Sequence, residues 1–149
     1  MKSVKLFKTF SQKPADTKRD WYEVDATAAP LGRMAVVIAD KLMGKSKPTF
    51  TAHTDNGDYV IVTNAKELVV TGTKMTDKMY HHHSGYQSGI RSLRLEEVIE
   101  KDPSRAIIEA VKGMLPKNKL APARLARLKI FDGEEHNHAA QTPKKLEIK

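Results

Sequence analysis

The chain predicts an α/β layered fold. Three observations carry this. Helix-spaced apolar patterns alternate with short extended runs along the sequence. One of those runs, Asp58-Tyr59-Val60-Ile61-Val62-Thr63, is almost continuously apolar, as a strand covered on both faces of a parallel sheet requires. The 149 residues, 40% hydrophobic and 30% charged, suit one domain with a real core.

Taken in order, residues 1–19 carry Lys2, Lys5, Lys8, Lys13, Lys18 and Arg19 against a single acid, Asp16. Val4, Leu6, Phe7 and Phe10 are too sparse for a core segment. The segment reads either as a basic arm that orders on a partner or as a solvated terminus. Trp21 to Asp25 has strand character, and Thr27 is placed to cap the next helix, with Pro30 near its first turn. Leu31, Met34, Ala35, Ile38 and Leu42 recur at helical spacing until Gly44 supplies a stop. Asp55-Asn56-Gly57-Asp58 reads as a turn in which glycine adopts a positive φ, with His53, Asp55 and Asp58 as the less favoured acid–base alternative. Leu68 to Thr71 is a further strand, ended by Gly72. Lys74 to Tyr80 and Arg91 to Leu95 are weaker extended segments around a glycine-containing loop, and a short helix starts near Leu95. Asp102-Pro103 is a cap followed by a first-turn proline. Ala106, Ile107, Ala110, Val111 and Met114 form the apolar face of that helix, and Pro116 ends it. Pro122 opens another short helix, and Lys129 to Phe131 is a last strand. Beyond Gly133 the chain is polar and reads as an extended tail over 134–149, leaving 20–133 as the folded domain.

The net charge of +8 and pI near 9.6 imply an anionic partner. The charge is segregated. Ala110 to Phe131 holds six bases and no acid in 22 residues, with Leu115, Leu120, Leu125 and Leu128 between the bases. That mixture suits a folded surface facing a polyanion. On this reading Met114, Leu115, Leu125 and Leu128 anchor the segment while Lys112, Lys117, Lys119, Arg124 and Arg127 face outward. Arg124 and Arg127, three apart, share a helix face. Replacing both by Glu is then expected to weaken RNA binding and leave the fold intact. Leu31-Gly32-Arg33 at a helix start can set amides and a guanidinium beside a phosphate.

Other classes find little support. There is no cysteine, so disulfides and thiolate metal sites are excluded. No apolar run approaches membrane-spanning length and no secretory signal stands out, so a soluble cytoplasmic protein is expected. No P-loop, dinucleotide fingerprint, nucleophile elbow or zinc-protease motif appears. His136 and His138 have a legitimate metal spacing but need a third ligand, and His81 to His83 alternate sides when extended. Aromatic residues are only 6%, which argues against single-strand stacking and for recognition of folded RNA through phosphates and 2′-hydroxyls.

The chain resembles the bacterial family of large-subunit ribosomal protein thirteen from about Arg19 to Leu146. The resemblance rests on Asp20-Trp21-Tyr22, Val24-Asp25-Ala26-Thr27, Leu31-Gly32-Arg33, Gly57-Asp58-Tyr59, Val70-Thr71-Gly72 and Thr76-Asp77-Lys78. Above all it rests on Val111-Lys112-Gly113-Met114-Leu115-Pro116 and Glu135-His136-Asn137-His138-Ala139-Ala140-Gln141. Ala121 stands where the family usually has glycine or serine. The resemblance implies a compact three-layer α/β/α domain around a small, mainly parallel sheet. It further implies a non-enzymatic role in the large ribosomal subunit, early in assembly, with large-subunit ribosomal RNA and neighbouring ribosomal proteins as partners. No cofactor, metal, membrane or small-molecule substrate is expected. The RNA-binding candidates are Arg33, Lys45, Lys47, Lys74, Lys78, His82, Lys112, Lys117, Lys119, Arg124, Arg127 and Lys129.

Overall fold

The computed structural model describes residues 9–148. The expectations for Lys2, Val4, Lys5, Leu6, Phe7 and Lys8 lie outside the described residues. The chain is α/β, with a four-stranded parallel sheet flanked by helices. Strand β1 is Trp21–Asp25, β2 is Tyr59–Thr63, β5 is Leu128–Ile130 and β6 is Lys144–Lys145. They lie in the order β5-β2-β1-β6, and every pairing is parallel. The apolar run of β2 thus lies between two neighbours, and Val60, Ile61 and Val62 are fully buried.

Helix α1, Leu31–Met43, connects β1 to β2. Its predicted stripe is the buried one: Leu31, Met34, Ala35, Ile38 and Leu42, joined by Ala39. Burying each large side chain of that stripe contributes about 1.5–3 kcal/mol. Gly44 ends the helix with φ +73°, and a Cβ there would lie 2.5 Å from the Asn56 carbonyl oxygen. Thr27 does not cap α1. The Asp25 carboxylate accepts from the Thr27 amide at 2.9 Å, which closes a turn ahead of the helix, and Pro30 occupies the cap position.

Leu68 to Thr71 is not a strand. Asn64 takes a left-handed conformation (φ +56°) and turns the chain out of the sheet into a 3-10 turn over Ala65–Glu67. The Val69 carbonyl instead accepts from the Leu31 amide at the start of α1. Lys74–Asp77 forms one helical turn, α2, and only then does the chain extend as β3, Met79–His83. β3 pairs antiparallel with β4, Ile90–Arg94, as a two-stranded ribbon separate from the main sheet. Helix α3 is Leu95–Lys101 and α4 is Pro103–Met114. Asp102 caps α4 as expected, its carboxylate accepting from the Ser104 amide at 3.0 Å. Ala106, Ile107 and Val111 of α4 join Val24, Val60, Val62, Leu128 and the α1 stripe in one core.

The opposite face of the sheet carries Trp21, Glu23, Tyr59 and Ile61, which share a side by register and alternation. Trp21 stacks on Tyr59, ring centroids 4.3 Å apart. The His138 ring lies 5.0 Å from Trp21, and the His136 and His138 rings lie within 6 Å of Phe131. The segment after Gly133 therefore packs on this face. Its end adds β6 at the sheet edge, where the Leu146 amide donates to the Glu23 carbonyl at 2.9 Å.

Candidate nucleic-acid interface

Helix α5, Ala121–Ala126, carries Arg124, and Arg127 is the residue that caps its C-terminus. It begins where the Leu120 amide donates to the Asn118 side chain and the Ala121 amide to the Asn118 carbonyl. Pro122, in the first turn, needs no donor there. An alanine is therefore accommodated at position 121, because that position is helical.

The expected orientation of these arginines is overturned. Arg124 is 2% exposed and Arg127 5%. Arg127 grips Asp55 through two parallel contacts and also donates to the carbonyls of Leu42 and Asp58. Arg124 Nε lies 3.8 Å from the same Asp55 carboxylate, and Arg19 reaches it at 3.6 Å. The reason is visible in the spacing: Leu120, Arg124 and Arg127 all have helical backbone angles and fall on one face, so the guanidinium groups turn inward with Leu120, while Leu128 begins β5. Replacing both arginines by Glu would bury like charges beside Asp55 and break the fold, contrary to the sequence expectation.

Lys47 is also committed internally. Its ammonium pairs with Asp58 and donates to the carbonyls of Lys18 and Asn56, which uses all three of its hydrogens. Asp55 to Asp58 is thus an ion-pair segment rather than a turn or an acid–base cluster. Gly57 has no positive φ. It is glycine because a Cβ would fall 1.7 Å from the Leu42 carbonyl oxygen and 2.8 Å from Arg127.

The remaining candidates are accessible. Arg33, Lys45, Lys74, Lys78, His82, Lys112, Lys117 and Lys119 are exposed, and Lys129 is half-buried on β5. Three of them converge. A cleft of about 990 Å3 lies at the start of α1, with Leu31, Leu95, Ala110 and Met114 in its wall and Arg33, Lys74 and Lys78 around it. Asp77 is the acid in that lining. α1 has no side-chain cap, and Gly32 has open space where a Cβ would be. The Leu31 amide is taken by Val69, but the Gly32 and Arg33 amides, the positive end of the helix dipole and three flexible cations face one opening, an arrangement suited to a phosphate. Met114, expected as an anchor, is 39% exposed at this cleft, while Leu115 is buried in the core.

His82 stands on the β3–β4 ribbon, which runs from Lys78 to Arg94 without an acid. Ile90 and Tyr86 on this ribbon are 62% and 80% exposed. His81 and Ser92 hydrogen bond across it at 2.7 Å. His136 lies 4.0 Å from Glu23 and also accepts from the His138 amide, so this pair serves packing of the tail segment on the sheet. Among the described residues, no helix is long and apolar enough to cross a membrane.

A family model described as Ribosomal protein L13 matches residues 19–137. The Large ribosomal subunit protein uL13 of Alkalilimnicola ehrlichii is 53% identical over 141 residues, covering 95% of this chain and 99% of that protein. The protein of the same name from Oleidesulfovibrio alaskensis is 52% identical over 142 residues, covering 95% and 99%. With the family model matching from Arg19 to Asn137 and relatives more than half identical over 95% of the chain, this chain belongs to the ribosomal protein L13 family.

Proposed function

We infer that the chain is a structural, non-enzymatic constituent of the large ribosomal subunit, acting in translation in the cytoplasm by binding and stabilising large-subunit ribosomal RNA. Family membership sets the assembly. The observation that carries the RNA reading is the convergence of Arg33, Lys74 and Lys78 on the start of α1, which no side chain caps. The protein's chemistry there is neutralisation. Cations on an ordered scaffold replace condensed counterions where RNA strands approach one another, and the released ions make binding strongly salt-dependent. Lys112, Lys117 and Lys119 extend the basic surface, and the ribbon bearing His82 offers a further arm for RNA. Binding of this kind, made before the subunit closes, suits an early place in assembly, with neighbouring ribosomal proteins as further contacts.

The test is binding of the full chain to large-subunit ribosomal RNA across a salt series. With six to eight phosphates contacted, affinity should fall by about 10³–10⁵ between 50 and 200 mM salt, or less steeply if RNA behaves as a single strand. Replacing Lys74 and Lys78 by Glu should weaken binding while the circular-dichroism spectrum stays native. A salt-insensitive affinity would overturn the mechanism. Sedimentation adds an independent check: the protein should co-migrate with the large subunit at low salt.

A further inference from the structure

Asp55 is asked to balance more charge than it can. Arg19, Arg124 and Arg127 all lie within 4 Å of its carboxylate, so three positive groups share one negative group. Among the described residues no other carboxylate lies within ion-pair distance of any of the three. Residues 1–8 contain no acid in sequence, so they bring none. Arg124 is the telling member. It is 2% exposed, and its Nε is buried without a hydrogen-bond partner. A buried guanidinium that shares its one carboxylate with two other cations is only partly compensated, which is costly. Asp55 opens onto a second cleft of about 680 Å3 on the other side of the basic stretch. Its wall includes Ser11, Lys13, Arg19, His53 and Leu120, and Asp55 is the acid among them. Arg19 is 37% exposed there, and Lys13 and His53 are exposed.

We propose that this second cleft receives a phosphodiester group of RNA, contacted by Arg19 and Lys13, whose negative charge completes the arginine cluster around Asp55. The proposal rests on the RNA-binding reading above and adds a subsite to it. Arg19 and Lys13 are the contact residues. Arg124 and Arg127 act as positioning residues: they hold Asp55 and supply the field that makes the cleft anionophilic. An extended RNA strand supplies the ligand because the cleft is open and its donors are spread along the 11–19 segment and residue 53.

The experiment has two arms on the full-length chain. In the first, the isotope-labelled protein is titrated with inorganic phosphate, chloride being withdrawn to hold ionic strength constant, and the Arg19 Nε–H and His53 ring signals are followed by NMR. Saturable shifts that are absent in Arg19→Gln are expected. In the second, wild type, Arg19→Gln, Lys13→Gln and Lys74→Gln are compared for binding to large-subunit ribosomal RNA across a salt series. Arg19→Gln and Lys13→Gln should each lower affinity several-fold and reduce the salt slope by about one. If Lys74→Gln weakens binding while both second-cleft variants leave affinity and slope unchanged, the subsite is refuted and the RNA-binding reading stands. Phosphate shifts without an effect on RNA slope also overturn the proposal, since the cleft would then take free anions alone. A wild-type affinity insensitive to salt would bring down the RNA-binding reading itself.

Discussion

Replacing Asp55 by Asn keeps the shape of the side chain and removes its charge. Arg127 is 6% exposed at its side chain, Arg124 2% and Asp55 16%, so the perturbation falls in a largely dry site. Breaking a buried ion pair by neutralising one partner costs about 3–5 kcal/mol, because the other charge stays buried and uncompensated. Residual solvent at Asp55 argues for the lower end, about 3 kcal/mol. That is a large part of the 5–15 kcal/mol that stabilises an ordinary domain. For a chain of this size it corresponds to a fall of about 6–12 °C in melting temperature. The assay is urea unfolding, followed by far-UV circular dichroism and by fluorescence of Trp21, the single tryptophan, which stacks on Tyr59. Combining Asp55→Asn with Arg127→Met should recover part of the loss, with a coupling energy on the order of 2 kcal/mol in a double-mutant cycle. A loss below about 1 kcal/mol for Asp55→Asn, or strict additivity in the cycle, would refute the claim that this cluster ties α5 to the 55–58 segment.

Arg124→Met should leave the free protein as stable as wild type or more stable, since it removes a charge whose Nε has no partner, while lowering RNA affinity; thermal unfolding and RNA titration together check both halves. Gly57→Ala should cost several kcal/mol or abolish folding, because its methyl would meet the Leu42 carbonyl at 1.7 Å; soluble yield and urea midpoint measure this, and a native midpoint would contradict the packing. Burial alone would raise the Asp25 carboxyl, but hydrogen bonds from the Thr27 amide and hydroxyl and from Asn64, with the charge of Lys145, hold it below its ordinary value. A depressed folded-state value means that the group stabilises the fold above its unfolded pKa, near 4, and that this contribution is lost as pH falls through the folded value. Asp25→Asn should therefore flatten the acid limb of the stability curve below about pH 4, and an unchanged limb would show that other carboxylates govern it.

The sequence by itself determined which segments could be strands and helices. The run at Val60 to Val62 could only be a strand buried on both faces, and the Leu31 to Leu42 stripe could only be a helix on a core. The Asp102-Pro103 start and the Gly44 stop were equally local, because capping and left-handed conformations depend on the residues at those positions. Charge composition and the Leu-Gly-Arg start of α1 pointed to the basic cleft at the start of that helix. Tertiary structure alone decided what each cation faces. Arg124 and Arg127 look like any exposed basic pair until Asp55, some 70 residues earlier, is folded against them. Their place on the helical face of Leu120 was the signal available, and a count of charges passes over it. Lys47 was lost as a free cation for the same reason, since its three acceptors come from Lys18, Asn56 and Asp58. The departure of Leu68 to Thr71 from the sheet turned on one left-handed residue, Asn64, and on an acceptor needed at the start of α1. A charged side chain's fate is set by distant partners in a low-dielectric interior, whereas apolar periodicity records its own burial.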